Sequence, residues 1–334
     1  MKIAYTKEWK SFDEQLDQLI SRGLIVTDRM KALECLERIG YYRLSGYWYA
    51  FRERTEVVWL ADGAKKPKKI KTDKLALDEF KPNATYQQAV DLYVFDKQLR
   101  MLVMDALERI EIALRVDISH TLANIDKFAY LKADCFHEKF SKELDPKTGL
   151  TKHHEWLSKH AQLITRSKEE FVKHNKEKYG LPLAIWVACE VWDFGSMSTL
   201  YSGMCEEAQD SISTQYGISN GRTFATWLRS LNYLRNVCAH HSRLWNRNIV
   251  EQPKLPEAEE LVWVEAFELD THARSRCFLQ LCMIKQLLKV IHPNSSWASR
   301  VEQHLQVFPN LEHLRLNLYG MGAADRWAEI WNGI

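Results

Sequence analysis

The strongest helical signal in the chain covers residues 86–125, forty consecutive positions without a glycine or a proline. Apolar residues recur within it at helical spacing and form one apolar stripe: Leu99, Leu102, Val103, Ala106, Ile110 and Leu114. Such a stretch favours one long helix, or two nearly collinear ones, with its apolar side buried against other helices. We therefore predict a mainly α-helical protein.

Changes in composition along the chain predict two domains. Residues 1–85 form an N-terminal subdomain rich in aromatic and basic side chains, and residues 86–334 form the helical domain. The β-branched and aromatic run at residues 55–60 leaves room for a short β-hairpin in the subdomain. Residues 126–180 are polar and lysine-rich, with a predicted loop near residues 142–154. Further helices are predicted over 11–22, 29–39, 182–204, 222–248 and 271–291.

Charge and cysteine usage narrow the class of protein. Forty-six Lys and Arg stand against 44 Asp and Glu, which excludes a polycation and an acidic disordered tail but not a local basic face. The seven cysteines show no two-residue spacing and favour reduced thiols. No apolar leader and no apolar run of 18 residues is visible, so we predict a cytoplasmic protein without a membrane segment. No metal or cofactor is predicted, because the candidate metal ligands match no zinc-binding spacing. These candidates are Cys135, His137, His153, His154 and His160.

The segment over residues 223–248 carries the clearest chemical signal. Placed on a helix, its apolar residues fall on one side and a polar stripe falls on another. The stripe contains no carboxylate, whereas a solvated helix face normally mixes both signs of charge. This pattern indicates a surface that faces phosphate groups. The members of the polar stripe are Arg229, Asn232, Asn236, His240, Arg243 and Arg247.

Arg235 and His240 have the spacing R-x-x-x-x-H, which by itself is weak. Arg and His are frequent enough that roughly two matches are expected by chance in this chain, and Arg115 to His120 is a second one. Because Glu111 precedes Arg115 by four residues, the helical spacing predicts an ion pair for that arginine instead. Glu111 remains a candidate to support the active site.

Three segments resemble a known family. They are the R-N-x-x-A-H at residues 235–240 with the following H-S-R-L-W-N, the stretch IGYYRLSGYWYAFR at 39–52, and LYVFDKQLRMLVMDALERIEIALR at 92–115. Together they resemble the Abi family of phage abortive-infection proteins, within the HEPN superfamily. The resemblance implies a HEPN-like helical bundle and a metal-independent ribonuclease, often dimeric. It places the catalytic role on Arg235, Asn236 and His240, and leaves His241 as candidate support or as a packing residue.

The chemistry of RNA suits these residue types. The 2′-OH is an internal nucleophile, and a histidine, ordinarily titrating near pH 6.5, can accept its proton. An arginine can hold the phosphate oxygens as their charge grows. Five positions place Arg235 and His240 about 140° apart on a straight helix. They converge only if the helix distorts, if Arg235 reaches round, or if a second copy completes the site.

The expected partners are an RNA substrate, a second copy of the chain, and an antitoxin-like RNA or protein that restrains the enzyme. A non-catalytic RNA-binding protein and a pure interaction module remain alternatives. The aromatic cluster at residues 41–51 is expected to serve packing more than base stacking. The predicted RNA-binding residues are Arg229, Arg243, Arg247, Lys65, Lys66, Lys68 and Lys69.

Overall fold

The computed structural model describes residues 4, 6–56, 58–60, 71–323 and 325–334, with the backbone alone for 58–60 and 71–73. Helices make up 64% of the structure, which confirms the mainly α class. The chain divides into a first unit, residues 1–98 with 304–318, and a second unit, residues 99–303 with 319–334. The boundary predicted at residues 85/86 stays a prediction.

The first unit begins with three helices and two antiparallel strand pairs. Ser11 and Glu14 close a capping box that starts the first helix, and the Asp28 side chain caps the second. The strand pairs confirm the hairpin for which the sequence left room, with β1 next to β4 and β2 next to β3. The elements are α1 (Phe12–Ser21), α2 (Arg29–Ile39), α3 (Tyr41–Trp48), β1 (Arg52–Arg54), β2 (Val58–Leu60), β3 (Lys71–Asp73) and β4 (Ala76–Phe80).

The aromatic cluster of the first unit serves mainly packing. Tyr47, Trp48 and Phe51 are buried, as expected for side chains that fix a small subdomain. The Tyr47 hydroxyl donates to the buried carboxylate of Asp96 at 2.7 Å. Tyr42 and Tyr49 differ from the others because both are exposed.

A single helix, α4 (Tyr86–Ala123), follows, which confirms the prediction for residues 86–125. At about 1.5 Å per residue it is about 57 Å long. Its predicted apolar stripe is buried from Leu99 to Leu114 except at Leu102, which is half-buried, and burial continues beyond the predicted stripe to Leu122. The division between the two units falls inside this helix, after Gln98.

The second unit contains more helices than the sequence patterns predict. Two of them, α6 and α7, lie in the lysine-rich region for which only a loop was predicted. The elements are α5 (Glu138–Ser141), α6 (Lys152–Arg166), α7 (Glu170–Tyr179), α8 (Ile185–Ala188), α9 (Phe194–Gly203), α10 (Glu206–Gln215), α11 (Gly221–Ala239), α12 (Glu265–Glu268), α13 (Thr271–Arg274), α14 (Cys277–Ile291), α15 (Trp297–Gln306) and α16 (Trp327–Gly333).

The prediction of one helix over residues 182–204 is wrong. Trp192 and Asp193 adopt extended backbone, and the Asp193 carboxylate accepts from the Ser196 N–H at 2.7 Å. This side-chain cap ends one helical segment and starts α9. Within the second unit, α11 packs against α9, α10 and α14.

The helix predicted over residues 222–248 is also too long, because α11 ends at Ala239. Leu244 and Trp245, which follow it, are buried in the unit. The polar stripe is therefore helical only as far as the last turn of α11, and Arg243 and Arg247 lie beyond the end of that helix. Among the helices described, none is both long and apolar enough to cross a membrane.

Candidate active site

The R-N-x-x-A-H segment lies at the carboxyl end of α11, where the helix ends in a Schellman motif. The His241 N–H donates to Cys238 O and the Ser242 N–H donates to Val237 O, both at 3.0 Å. His241 has a φ of +53°, the left-handed conformation for which this motif usually uses glycine. Non-glycine residues in that conformation cluster at functional sites. The motif fixes His240 as the C-cap, directly after Ala239.

Asn236 and His240 lie one above the other on the last turn of α11. The His240 N–H still donates to Asn236 O at 3.0 Å, so the helical bonding pattern includes His240 even though the helix ends there. Both side chains are exposed. The pair therefore presents an amide and an imidazole on the same outer face.

Arg235 contacts Asn236, its neighbour in the chain. Its side chain is half-buried, and Nη1 lies 3.5 Å from Oδ1 of Asn236. Asn236 in turn lies one helical turn before His240. How Arg235 and His240 come together stays a prediction.

Arg235 also lines a cleft of about 440 Å³. Carboxylate, guanidinium and apolar side chains of α4 form the rest of its wall. The burial of Glu111 raises the pKa of its carboxyl group, while the charges of Arg115 and Arg235 act in the opposite direction. Glu111 thus interacts electrostatically with the motif arginine. The lining residues are Met104, Asp105, Leu107, Glu108, Glu111, Ile112, Arg115 and Arg235.

In the second R-x-x-x-x-H segment, residues 115–120, the arginine has a structural role. Arg115 contacts the Glu111 carboxylate at 3.3 Å, as the four-residue spacing predicted. It also contacts the Glu190 carboxylate at 3.4 Å and donates to the main-chain oxygen of Trp192 at 3.2 Å. These contacts hold Arg115 in place as one wall of the cleft.

The amino end of α9 lies against the middle of α11. A Cβ added at Gly195 would lie 3.5 Å from the amide of Asn232 and from the Asp193 carboxylate. Burial alone would raise the pKa of Asp193, but hydrogen bonds from Lys159 and from the Ser196 main chain bring it below its ordinary value. A carboxylate and an amide therefore lie close to the motif; Asn232 belongs to the predicted polar stripe, whereas the sequence pattern did not indicate Asp193.

The predicted RNA-binding residues lie in different settings. Arg229 is exposed on α11, and Arg243 is half-buried beyond it. Arg247 donates from Nε to the Tyr233 hydroxyl at 2.9 Å, and its guanidinium lies 5.8 Å from the centre of that ring. This contact folds the chain after α11 back onto the helix. Lys65, Lys66, Lys68 and Lys69 lie outside the described residues.

His241 does not pack into the core, which makes the packing interpretation wrong, since its side chain is exposed.

The histidines considered as metal ligands have other contacts. His153 lies 2.8 Å from Tyr130 O, and His160 accepts at 3.0 Å from the Trp192 indole. Burial lowers the pKa of His160 to about 4, so its ring stays neutral.

Sequence reasoning missed Asp105 and Glu108 as cleft residues. Their spacing from Glu111 and Ile112 on one helix was the available signal, because residues three or four apart share a face. That spacing could not reveal the opposite wall, which comes from α11.

Comparison with known proteins gives one match. The family model described as Abi-like protein matches residues 34–246, well over half of the chain, and this range includes the whole of α4 and α11. It confirms the resemblance drawn from the three sequence segments. No curated protein and no solved structure matches the chain.

Proposed function

We propose, because this chain belongs to the Abi-like protein family, that it cleaves RNA without a metal ion in abortive-infection defence against phage. The observation that carries this proposal is that the Arg235 guanidinium lies beside Asn236, and that Asn236 precedes the exposed His240 by one helical turn. A cation, an amide and an imidazole on one helix end suit a ribose 2′-OH and its adjacent phosphate. The family suggests abortive infection; the chemistry is our proposal.

In the proposed reaction His240 removes the proton from the ribose 2′-OH. The O2′ atom attacks phosphorus, the bond from phosphorus to O5′ breaks, and the proton returns to O5′ from the imidazolium or from water. Arg235 stabilises the negative charge that grows on the phosphate oxygens, and Asn236 holds the guanidinium in position. The products are a 2′,3′-cyclic phosphate and a 5′-OH.

Glu111 is proposed as a positioning residue. It lines the same cleft as Arg235 and interacts with its charge. Arg229, Arg243, Arg247 and the lysines at 65, 66, 68 and 69 are proposed to contact the RNA backbone, which attracts cations regardless of base sequence. His241 is proposed only as support, through its place in the Schellman motif.

His240→Ala should abolish cleavage of labelled RNA in the presence of EDTA, because the variant lacks the proposed base. Cyclic-phosphate ends in the wild-type product identify 2′-OH attack. His174→Ala, at an exposed position of α7, is the matched control and should cleave normally. Cleavage by His240→Ala at the wild-type rate contradicts the assignment. RNA binding without cleavage by the wild type would favour the non-catalytic alternative.

Arg235→Ala should reduce the cleavage rate by about 10²-fold or more, as expected for a lost transition-state donor. Arg222→Ala is the control on the same helix, since Arg222 is exposed and pairs with Glu206 at 2.9 Å. It should leave the rate unchanged. Equal rates for Arg235→Ala and Arg222→Ala would remove Arg235 from the mechanism.

We propose further that the enzyme is a cytoplasmic homodimer whose two α11 helix ends line one RNA groove. A two-fold interface uses the same patch on both subunits, so each copy would bring Arg235, Asn236 and His240. Mixed Arg235→Ala and His240→Ala protein should regain part of the activity if each site takes these residues from different copies. A fully active monomer by light scattering would contradict the dimer. An antitoxin-like RNA or protein is proposed to restrain the enzyme before infection.

A further inference from the structure

We propose that the first unit carries a second RNA contact, which holds an unpaired, single-stranded part of the substrate by its phosphates and by one stacked base. Its residues are Tyr49, Arg54, Lys81 and Arg315, together called the Tyr49 surface. The inference rests on the proposed function in naming RNA as the ligand. It adds to that function a substrate class, single-stranded RNA, and a contact separate from the catalytic residues.

The first observation is that the cations Lys81, Arg54 and Arg315 lie close together, with little negative charge beside them to balance their own. Lys81 Nζ donates to Leu314 O at 2.7 Å and to Ala50 O at 3.5 Å, and both acceptors are uncharged carbonyls. Arg315 directly follows Leu314, so its backbone lies beside the Lys81 ammonium group. Burial lowers the pKa of Lys81, and the charges of Arg54 and Arg315 add to that effect against the attraction of Glu53.

Crowding of this kind favours a bound anion. Among the described charges that act on Lys81, Arg54 and Arg315 oppose its charge and Glu53 attracts it, and each cation raises the energy of the others until a further negative group joins them. Arg54 and Arg315 are exposed, so an incoming phosphate can reach both. Arg54 donates a hydrogen bond from Nη1 to the main-chain oxygen of Lys74 at 3.1 Å. Because this acceptor is uncharged, the hydrogen bond does not neutralise the positive charge of Arg54.

The second observation is the ring beside these cations. Tyr49 is 45% exposed, and the guanidinium groups of Arg54 and Arg52 lie 5.5 and 5.9 Å from its centre. Arg52 is also 3.4 Å from the Asp78 carboxylate, which it shares with Arg22. Aromatic rings and arginine planes are the platforms on which unpaired bases stack. A base-paired strand cannot offer a free base face to such a ring.

The third observation is the distribution of charge along the chain. Residues 41–81 contain ten Lys and Arg against six Asp and Glu, whereas the whole chain has an excess of only two positive charges. The remainder is therefore net negative, and three of the four excess positive charges of this segment come from residues 61–70, which lie outside the described residues. Local positive potential of this kind attracts a polyanion and steers its approach.

The test uses full-length protein and a fluorescein-labelled single-stranded RNA that carries 2′-O-methyl groups throughout and therefore cannot be cut. Affinity is measured by anisotropy at several salt concentrations. Arg54→Gln with Arg315→Asn should flatten the plot of log affinity against log salt by about 1.4, or about 0.7 for each lost phosphate contact. Asparagine suits position 315 because it tolerates the left-handed backbone found there.

The stacking part has its own pair of variants. Tyr49→Ala should weaken binding of single-stranded RNA by at least about fivefold, while Tyr49→Phe keeps the ring and should bind as the wild type does. Arg29→Gln is the charge control in the same unit, since Arg29 already pairs with Asp13 and Asp17 at 2.9 and 2.7 Å. It should leave the salt dependence unchanged. Circular dichroism establishes that each variant is folded.

The outcomes separate this proposal from the proposed function. Because the probe cannot be cut, unchanged affinity and salt slope in the Arg54/Arg315 variant overturn the Tyr49 surface even if the wild type cleaves RNA. An equal loss of duplex and single-stranded binding in Tyr49→Ala overturns base stacking. With cleavable RNA the variants should raise KM and leave kcat unchanged, whereas a fall in kcat alone counts against a binding role.

Discussion

At the scale of single residues, the end of α11 depends on an unusual choice at position 241. A histidine there occupies the left-handed conformation with φ at +53°. The Schellman bonds from residues 241 and 242 require this turn, whichever side chain is present. The strain of His241 therefore accompanies the exposed placement of His240 at the helix end.

His241→Gly should be at least as stable as the wild type, because glycine enters this conformation without steric cost. His241→Val should be less stable than His241→Gly by about 2 kcal/mol, since a β-branched residue is strongly disfavoured there. Urea unfolding of the two variants measures the difference. Equal stabilities would contradict the strain, and loss of cleavage in a stable His241→Gly would show that the imidazole itself is needed.

The sequence identified Arg235, Asn236 and His240 as one group of motif residues but could not say where their side chains lie relative to one another. The 140° separation on an ideal helix is a property of the backbone alone. The side chain of Arg235 is long enough to bring its guanidinium to Asn236, 3.5 Å from Oδ1. Only the packing around α11 fixes that direction.

At the scale of elements, the place where α11 begins is set by its contact with α10. Gly221 is the first residue of α11, and its N–H donates to the Asp210 carboxylate at 2.7 Å. A Cβ at this position would lie 2.4 Å from Cβ of Gln209 and 2.7 Å from its carbonyl carbon. Gln209 cannot move away easily, because its amide donates to the main-chain oxygens of Tyr201, Ser202 and Met204.

Gly221→Ala should therefore lower the free energy of unfolding by about 2 kcal/mol, as overpacking typically does. Gly333→Ala in α16 is the control, since nothing lies within 4 Å of its added Cβ. It should be neutral or slightly stabilising. Thermal unfolding compares the two variants, and equal melting temperatures would refute the close approach of α10 and α11.

At the scale of the whole molecule, several buried histidines make stability depend on pH. Burial lowers the pKa of His160 to about 4, and burial also lowers the pKa of His153 and His304. In the unfolded chain these rings take up protons near pH 6.5. Between about pH 6.5 and 4 the unfolded state thus binds more protons, and stability falls as the pH falls through this window.

His160→Asn should reduce this loss, because the amide oxygen can accept from the Trp192 indole without titrating. Each pH unit inside the window costs up to about 1.4 kcal/mol for one such histidine. Urea unfolding between pH 7 and pH 5 measures the slope, and the exposed control His174→Asn should leave it unchanged. Burial raises the pKa of Glu111 and Asp117, and this makes stability fall as the pH rises, opposite to the effect of the histidines. Both variants keep these two carboxyl groups, so the comparison between the variants is unaffected. Identical slopes in His160→Asn and the wild type would contradict the neutral buried ring.

The sequence by itself determined the helical class, the bounds of α1, α2 and α4 within two residues, and the residues of the motif. These features depend on local periodicity and on caps such as Ser11 and Asp28, which act between residues a few positions apart.

Only the tertiary structure decided that α11 stops at Ala239. The same holds for the cleft that joins Glu111 on α4 to Arg235 on α11, two residues far apart in the chain. The reason is physical: helical periodicity continues through residues 240–248, but burial of Leu244 and Trp245 against the rest of the unit outweighs the local preference for one longer helix.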